Sequence, residues 1–373
     1  MRKALIIFSV LLLASVVAGN AFGGGQQAED TAPAEGEAPA EVPFEKPSPG
    51  YDQPEVDTRQ VDTGEYAVEP PWDIGFSNAS LANAWRVNFV EHLRVAMDAA
   101  KEEGTVANFY ETNANGDSSK QIADIEDLVV RGIDLLIVSA TTSEALTPAV
   151  EKVMEQGIPV VTVDRNIASD EYVTFVESSS SHMGRLQAEW LAAELGGQGK
   201  VIMLPGLAGA TPAEDRLEAA EEVFSQLPGI EMLDTQYTGW SPVEGKRITQ
   251  TMIQRFPEID GVWADSGLQA SGAAEAFMEA GLEVPPITGE DFNRFLKLWN
   301  NEGLNAVAVT FSVRQGTAAA EVAFDILRGN AVDHHVVVPN LVITEENLDE
   351  FVRPDLPDGF FAESTPEVAD RIF

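Results

Sequence analysis

The chain has 373 residues, a formal net charge of −38 and no cysteine. This length allows two compact domains with sizeable cores. The lack of cysteine excludes disulfides, thiol nucleophiles, cysteine zinc sites and a lipid attached to cysteine. The negative charge argues against a nucleic-acid backbone as partner. The same charge is typical of a protein kept soluble, also in salty surroundings, and it names no ligand.

The first residues have the pattern of an export signal. Arg2 and Lys3 precede an apolar run to Val17, and small residues follow up to Ala21. We expect residues 1–21 to be a signal peptide cleaved after Ala21, with an uncleaved anchor as the alternative. No later segment is apolar enough to cross a bilayer. The sequence therefore predicts an exported protein, periplasmic or at the cell surface.

Residues 22–70 differ in composition from the rest of the chain. The segment "GGGQQAEDTAPAEGEAPAEVPFEKPSPG" is rich in Ala, Pro, Glu and Gly and poor in large apolar residues. Such a segment buries too little surface to offset its chain entropy. We interpret residues 22–70 as a disordered acidic spacer, with a partner-binding segment as the alternative.

From Trp72 onward, strand-like and helix-like segments alternate. The apolar strand-like runs are "WDIGFS", "VANFYET", "IDLLIVSA", "IPVVTVD", "EYVTFVES", "KVIMLPG", "IDGVWAD", "VPPITGED" and "NAVAVTF". Between most of them lie segments with helical spacing, such as "KQIADIEDLVVRG" and "SEALTPAVEKVMEQG". Several of these segments end at glycine, as helices often do. The alternation predicts an α/β protein with parallel sheets covered by helices on both faces. The number of runs favours two doubly wound domains, with a division near residues 177–181.

Ligands of open α/β sheets bind beyond the carboxyl ends of the strands. Hydroxyl groups, carboxylates, an arginine and a tryptophan follow the predicted strands here. The ends are Ser77-Asn78, Thr112-Asn113, Ser139 to Thr142, Asp164-Arg165, Gly206 to Thr211, Gly239-Trp240, Asp265-Ser266, Glu290-Asp291 and Thr310. Charged side chains bond strongly to hydroxyls, and aromatic faces cover the C–H face of a sugar ring. The pattern favours a site for a neutral, hydroxyl-rich molecule.

Enzyme motifs are absent from the sequence. There is no GxSxG elbow, "GGQGKV" lacks the rest of a P-loop, and "GLAGAT" is not a dinucleotide motif. A glycosidase could be assembled from Asp164, Asp265 and Asp291, but nothing singles out an acid and a base. No histidine stands near a carboxylate at metal-ligand spacing. The four histidines are His92, His182, His334 and His335. We predict no enzyme activity, no cofactor and no metal, with the adjacent histidine pair in a surface loop.

Several motifs resemble those of one family. They are "GFSNASLANAWR", "VDRNI", "GLAGATPAEDR", "GW", "WAD" and "GED", in this order from residue 75 to residue 291. With them the chain, from about Asp73 to its end, resembles the type I periplasmic sugar-binding proteins of the ribose and galactose class, which serve ABC transporters. The "GFS…WR" segment and the Asp-Arg pair look most similar to the galactofuranose-binding branch.

The resemblance implies two similar lobes, three hinge crossings and a sugar held between the lobes. The N-terminal lobe would comprise residues 71–178 and about 311–340, and the C-terminal lobe residues 179–310 and about 341–373. The expected partners are a small neutral sugar, pentose or hexose, and an ABC permease, with no nucleic acid and a monomeric state.

The resemblance also implies roles for single residues. Asp164 and Arg165 match the family's sugar-gripping pair, and Trp240 matches a ring that stacks on the sugar. Asp265 and Asp291 match carboxylates near the sugar hydroxyls. The other candidate ligand-binding residues are Ser77, Asn78, Trp85, Arg86, Thr141, Ser178, Asp215, Arg216 and Thr310.

Two positions depart from the ribose binders. Thr310 lies where they have glutamine, and Glu214 where they have arginine, so that Asp215 or Arg216 takes over that contact.

Other interpretations stay open at this point. Arg86 could pair with a helix carboxylate such as Glu91, and Trp85 could be a packing residue. The whole protein could be a sugar-sensing partner of a receptor kinase or chemoreceptor, or a secreted glycosidase. Repressor-type transcription regulators share this fold, but the DNA-binding helices of such a regulator are missing from this sequence, which disfavours that interpretation.

Overall fold

A computed structural model describes residues 43–56 and 59–373. The predicted signal peptide and residues 22–42 of the predicted spacer lie outside the described residues. The strands are β1 Gly50–Asp52, β2 Gln60–Val61, β3 Trp72–Asn78, β4 Val106–Asn113, β5 Leu135–Ser139, β6 Val160–Val163, β7 Thr174–Glu177, β8 Gln198–Leu204, β9 Gly229–Thr235, β10 Gly261–Ala264, β11 Ile287–Gly289, β12 Ala306–Val309, β13 Val332–Asp333, β14 His335–Val337 and β15 Asn340–Ile343. The helices are α1 Ala84–Glu102, α2 Ser118–Arg131, α3 Ser143–Glu155, α4 Ser180–Glu194, α5 Thr211–Ser225, α6 Pro242–Arg255, α7 Gly267–Glu279, α8 Asn293–Glu302, α9 Gln315–Leu327, α10 Leu348–Phe351 and α11 Pro366–Ile372, with a 3₁₀ turn at Gly64–Tyr66.

The first lobe is built on a six-stranded sheet with the strand order β14-β7-β6-β5-β3-β4. All its neighbouring strands are parallel. β5 and β6 are fully buried runs of mostly Val, Leu and Ile, as expected for strands covered by helices on both faces. The strand order reverses between β3 and β5, which opens a crevice at their carboxyl ends.

The second lobe is built on a seven-stranded sheet with the order β1-β15-β12-β11-β10-β8-β9. The five strands from β12 to β9 are parallel, and β15 and β1 are added antiparallel at the edge. Here the order reverses between β8 and β10. The prediction of an α/β fold with two doubly wound parallel-sheet lobes is confirmed.

The chain passes between the two sheets at three places. These are the step from β7 to α4 at Ser178-Ser179, the step from β12 to α9, and the step from β14 to β15 at residues 338–339. α9 packs on β5, β6 and β7 of the first lobe. In the described part of the chain, no helix is both long and apolar enough to cross a membrane.

The prediction of a disordered spacer is wrong for part of residues 43–70. β1 pairs with β15, β2 pairs with β13, and Val61 and Tyr66 pack against the core. The composition argument failed because strand addition at a sheet edge uses backbone hydrogen bonds, which depend little on side-chain type.

The end of the chain also differs from the prediction. Residues 341–373 were assigned to the C-terminal lobe, but α11 packs on α1 of the first lobe. Val368 and Ala369 are buried there, and Arg371 pairs with Asp98 of α1 at 2.9 Å. The reason is the apolar face of this short helix, which finds its cover on α1.

Candidate functional site in the cleft between the lobes

A cleft lies between the lobes, beyond the carboxyl ends of both sheets. About 310 Å³ of space lies between its walls, part of it open to solvent. Both lobes contribute to its walls. The lining residues are Asn83, Trp85, Arg86, Asp164, Arg165, Pro212, Arg216, Trp240, Ser266, Leu268, Glu290 and Phe311.

Asp164 and Arg86 form a buried ion pair in the wall of the first lobe. Arg86 Nη2 lies 2.6 Å from Asp164 Oδ2, and each side chain is 3% exposed. Ser139 Oγ donates to the same oxygen at 2.8 Å, and Arg86 Nη1 donates to Ser139 Oγ at 2.8 Å. These contacts use Oδ2, so Oδ1 keeps its capacity to accept hydrogen bonds from a ligand. The alternative pairing of Arg86 with Glu91 is wrong.

Asp164 sits in a sharp turn at the end of β6. Its φ is 62°, in the left-handed region that is rare for residues other than glycine and asparagine. The backbone N–H of Arg165 donates to the Val163 carbonyl at 2.6 Å and closes the turn. The turn allows two consecutive side chains, Asp164 and Arg165, to face the cleft. In a continuing strand they would point to opposite faces.

Arg165 is a buried cation with weak compensation inside the protein. Its Nε lies 3.7 Å from Asp164 Oδ2 and has no hydrogen-bond partner within the described residues. Burial, with a smaller effect of the nearby cations Arg86 and Arg216, lowers the pKa of Arg165 to about 10, against the raising effect of Asp164. The guanidinium lies 5.6 Å from the ring centre of Trp240, a residue of the other lobe. A ligand with oxygen atoms in the cleft would supply the missing acceptors.

Trp240 closes the cleft from the second lobe. Its φ of 52° lies in the left-handed region that is rare for such a residue, and its Nε1 donates to Asp265 Oδ1 at 3.2 Å. The ring lies flat on Gly206, where a Cβ atom would stand only 2.0 Å from Trp240 Cε2. A glycine at residue 206 is therefore required for this ring position.

Asp265 lies behind Trp240 and does not line the cleft. Its carboxylate accepts hydrogen bonds from Gly206 N at 2.9 Å, from Trp240 and from Gln269. Arg216 Nη1 donates to its backbone carbonyl at 3.3 Å. Burial raises the pKa of Asp265 to about 6. Asp265 therefore holds Trp240 and Arg216 in place, whereas the sequence suggested direct contact with a ligand.

Trp85 and Phe311 add aromatic surface to the cleft wall. Trp85 stacks on Phe89 with ring centres 5.3 Å apart, and its Nε1 donates to the Phe311 carbonyl at 2.6 Å. Arg216 lies 4.3 Å over the Phe311 ring. Trp85 therefore packs in the core and also lines the cleft.

Glu290, and not Asp291, lines the cleft. Ser266 Oγ donates to Glu290 Oε2 at 2.5 Å. Burial raises the pKa of Glu290 to about 7, against the lowering effect of Arg216. Asp291 points toward residues 362–363, and its pKa lies well above the usual value because of burial and the nearby Glu290. Adjacent residues of an extended segment face opposite sides, so that Glu290 lines the cleft and Asp291, the residue expected from the sequence, does not.

Three further candidates lie at strand ends of the first lobe but outside the cleft lining. Asn78 Nδ2 donates to the Ser80 carbonyl at 2.8 Å, and Thr141 Oγ1 shares a hydrogen bond of 2.7 Å with Ser118. Ser77 is fully buried. Asn78 and Thr141 thus bond within the segments next to the site, whereas Ser77 Oγ has no hydrogen-bond partner among the described residues.

Ser178, Thr310 and Asp215 lie outside the lining as well. Ser178 Oγ and the Thr310 carbonyl both accept from Asn340 Nδ2, at 3.1 and 2.7 Å, so that one amide connects the three crossings. Asp215 lies on α5; its pKa is raised to about 6 by burial and by Glu177. Of the fourteen candidates, Trp85, Arg86, Asp164, Arg165, Arg216 and Trp240 line the cleft.

Six lining residues were not among the candidates. They are Asn83, Pro212, Ser266, Leu268, Glu290 and Phe311. Asn83, Ser266 and Glu290 follow or cap elements at the ends already suspected, so a wider choice at those ends would have included them. Phe311 and Leu268 carry no signal of this kind, because apolar residues beside strands usually belong to the core.

The histidine pair has structural contacts. His335 Nε2 lies 3.0 Å from Glu177 Oε1, and His334 stacks on Tyr172 with ring centres 4.8 Å apart. Residues 43–56 and 59–373 contain no group of three or more histidine, aspartate or glutamate side chains placed to hold a metal ion.

Comparisons with known proteins show the family of the chain. The chain is 29% identical over 273 residues to the ribose import binding protein of Bacillus subtilis (strain 168), covering 73% of this chain and 87% of that protein. A fructose-binding periplasmic domain of a hybrid two-component system matches with a TM-score of 0.69 and 28% identity, over 75% of this chain and 93% of that one. The binding protein of the arabinose ABC transporter from Shewanella sp. ANA-3, bound to α- and β-L-arabinofuranose, matches with a TM-score of 0.68 and 25% identity, over 74% and 93% of the two chains. Residues 74–331 match the family model described as periplasmic binding protein domain, and the chain therefore belongs to that family.

Proposed function

We propose that this protein captures a neutral monosaccharide between its two lobes and delivers it to an ABC importer. The observation that carries the proposal is Arg165, a buried guanidinium at the cleft with an unpaired Nε and with Trp240 of the other lobe beside it. A sugar would offer hydroxyl oxygens to Arg165 and a C–H face to the indole ring. Only a closed cleft brings both contacts to one ligand.

The charges of the site favour a neutral ligand. The guanidinium groups of Arg86, Arg165 and Arg216 stand against the carboxyl groups of Asp164, Asp265 and Glu290. Because the two signs nearly balance, a ligand with a full charge would leave one charge buried without a partner, which is costly.

Lobe closure follows from the same arrangement. A ligand that contacts both walls binds the closed form better than the open form and therefore shifts the population toward closure. The ribose and arabinofuranose binders similar to this chain serve importers by name, which favours import over sensing. The proposal also includes export by the N-terminal apolar segment, a monomeric state and the absence of enzyme activity.

Calorimetric titration with a panel of pentoses and hexoses tests the proposal. We expect at least one sugar to bind with micromolar affinity or better, and Arg165→Ala to weaken that binding at least tenfold. Arg185→Ala is the matched control, since Arg185 lies exposed on α4 and pairs with Glu222 at 3.0 Å. Equal affinities of the two variants, or turnover of a glycoside by the wild type, would contradict the proposal.

A further inference from the structure

The first inference concerns the wall of the second lobe and rests on the proposed function. We propose that Glu290 is a specificity-determining residue that bonds a hydroxyl group of the bound sugar. Glu290 follows β11, lines the cleft and is 2% exposed.

The surroundings of Glu290 place its carboxyl group firmly. Ser266 Oγ donates to Oε2 at 2.5 Å, and the backbone N–H of Phe311 also bonds to the carboxyl group. A carboxylate can accept about four hydrogen bonds, so these two leave room for a ligand. Arg216, which also lines the cleft, is a compensating charge for Glu290. A fixed acceptor beside a fixed donor is suited to distinguishing the orientations of a sugar hydroxyl.

A pair of neighbouring variants tests this inference. Glu290→Gln keeps the shape and replaces the carboxyl group at the cleft by an amide, and Asp291→Asn makes the same replacement on the side away from the cleft. We expect Glu290→Gln to weaken binding of the preferred monosaccharide about tenfold or more. It should leave the affinity for one deoxy analogue, the one without the bonded hydroxyl, nearly unchanged. Asp291→Asn should change either affinity less than about twofold.

The outcomes separate this inference from the proposed function. A wild-type protein that binds no monosaccharide overturns both. Binding by the wild type together with an unaffected Glu290→Gln variant, or an equal loss in Asp291→Asn, overturns the role of Glu290 alone. Should Glu290→Gln fail to fold, Glu290→Asp carries the same test, because it keeps the carboxyl group but withdraws it from the cleft.

The second inference concerns the segment before the family match, which begins at residue 74. Residues 43–56 and 59–70 are here called the hinge strap. Its strand β1 pairs antiparallel with β15 of the second lobe, with Gly50 opposite Val342 and Asp52 opposite Asn340. Its strand β2 pairs antiparallel with β13, with Gln60 opposite Asp333.

The partners of the hinge strap all belong to one stretch of chain. As the strap runs from residue 50 to residue 61, its partners run back from residue 342 to residue 332. His334 N also donates to the Arg59 carbonyl at 2.8 Å. Residues 332–342 include the third crossing between the lobes. The strap therefore accompanies this crossing on both sides of the hinge.

Side chains and backbone groups hold the hinge strap to both lobes. On the second lobe, Asp52 Oδ1 lies 3.4 Å from His182 Nε2, and Lys46 forms an ion pair with Glu194. Toward the first lobe, Val68 N donates to the carbonyl of Leu327, the last residue of α9, at 2.9 Å. Exposed ion pairs contribute little by themselves, so the backbone pairing of the strands is the stronger attachment.

We infer that the hinge strap acts as a fourth connection that limits how far the lobes open. Rotation of the lobes bends the third crossing, and a strand paired to it on both sides must bend with it or lose hydrogen bonds. We expect the strap to limit opening in the sugar-free protein only, since all strand pairs of β1 and β2 stay intact in the closed form.

Fluorescence energy transfer between the lobes tests the role of the hinge strap. The chain has no cysteine, so Val130→Cys and Val243→Cys, at side chains 86% and 73% exposed, label the two lobes specifically. Asp52→Pro removes a backbone N–H from β1, and Asp52→Ala keeps it while removing the same side chain. We expect Asp52→Pro to broaden the distance distribution of the sugar-free protein toward longer distances and to leave that of the sugar-bound protein unchanged.

Identical sugar-free distributions for Asp52→Pro and the wild type would overturn the inference, as would equal broadening by Asp52→Ala. If Asp52→Pro does not fold, hydrogen exchange of the wild type decides. The β1 and β2 amides must then exchange more slowly when sugar is bound, and unchanged exchange would refute the role of the strap.

Discussion

Replacement of Asp164 by asparagine removes the negative charge at the centre of the first lobe's cleft wall. Asparagine fits the site, because it has the same shape and tolerates the left-handed backbone at this position. What remains is Arg86, 2% exposed, without its partner at 2.6 Å, and Arg165 without its contact at 3.7 Å. Two cations are then buried side by side.

The magnitude follows from this burial. Removal of one partner from a buried ion pair costs about 3–5 kcal/mol of unfolding free energy, against at most about 1 kcal/mol for an exposed pair. With the two side chains of the pair each 3% exposed, we expect the larger value. Asp164→Asn should also abolish sugar binding, since Oδ1 loses its strength as an acceptor.

Urea unfolding of the sugar-free protein at pH 7 measures the first effect, and calorimetry measures the second. Asp170→Asn, an exposed aspartate of the same loop, is the control and should change the unfolding free energy by less than about 0.5 kcal/mol. A loss below about 1 kcal/mol in Asp164→Asn would refute the reasoning, because it would mean that water reaches the pair. A double-mutant cycle with Arg86→Met should show strong coupling between the two positions.

Three further results are expected. Gly206→Ala should displace the Trp240 ring, since the new Cβ would lie 2.0 Å from it. Sugar binding measured by calorimetry should weaken at least tenfold, while the circular dichroism spectrum stays unchanged. An unaltered affinity would contradict this prediction. Wild-type stability should fall as the pH rises from about 4.5 to about 7, because burial raises the pKa of Glu290 from 4.5 to about 7 and the native protein keeps a proton that the unfolded chain releases. In thermal unfolding at a series of pH values, Glu290→Gln should make this decrease of stability with pH less steep. A decrease as steep as in the wild type would contradict the role of Glu290. Trp85→Phe should lower the unfolding free energy by about 1 kcal/mol, because it loses the 2.6 Å hydrogen bond to the Phe311 carbonyl; denaturant midpoints equal to the wild type's would exclude that contribution.

The sequence predicted the fold and part of the site for physical reasons. Buried parallel strands are runs of Val, Ile and Leu, and their carboxyl ends meet at one edge of each sheet, so that Asp164, Arg165 and Trp240 were found from their positions. The pattern could not decide between Glu290 and Asp291. The choice depends on which way an extended segment faces, and one residue of register reverses it.

Two other features were beyond the reach of composition. Asp265 is a carboxylate at a strand end, as expected, but its oxygens are occupied by Trp240, Gln269 and the backbone of Gly206. Only the three-dimensional packing shows that it acts through Trp240. Likewise, β1 is formed by backbone pairing with β15, and nothing in its side chains marks it as a strand.

A crystal structure with the sugar that binds best in the calorimetric panel tests the central claim most directly. We predict one sugar in the cleft, with ring oxygen or hydroxyl atoms within about 3 Å of Arg165 and of Asp164 Oδ1, and with the Trp240 ring against its C–H face. A sugar bound elsewhere, or bound to one lobe alone with the cleft open, would contradict the account.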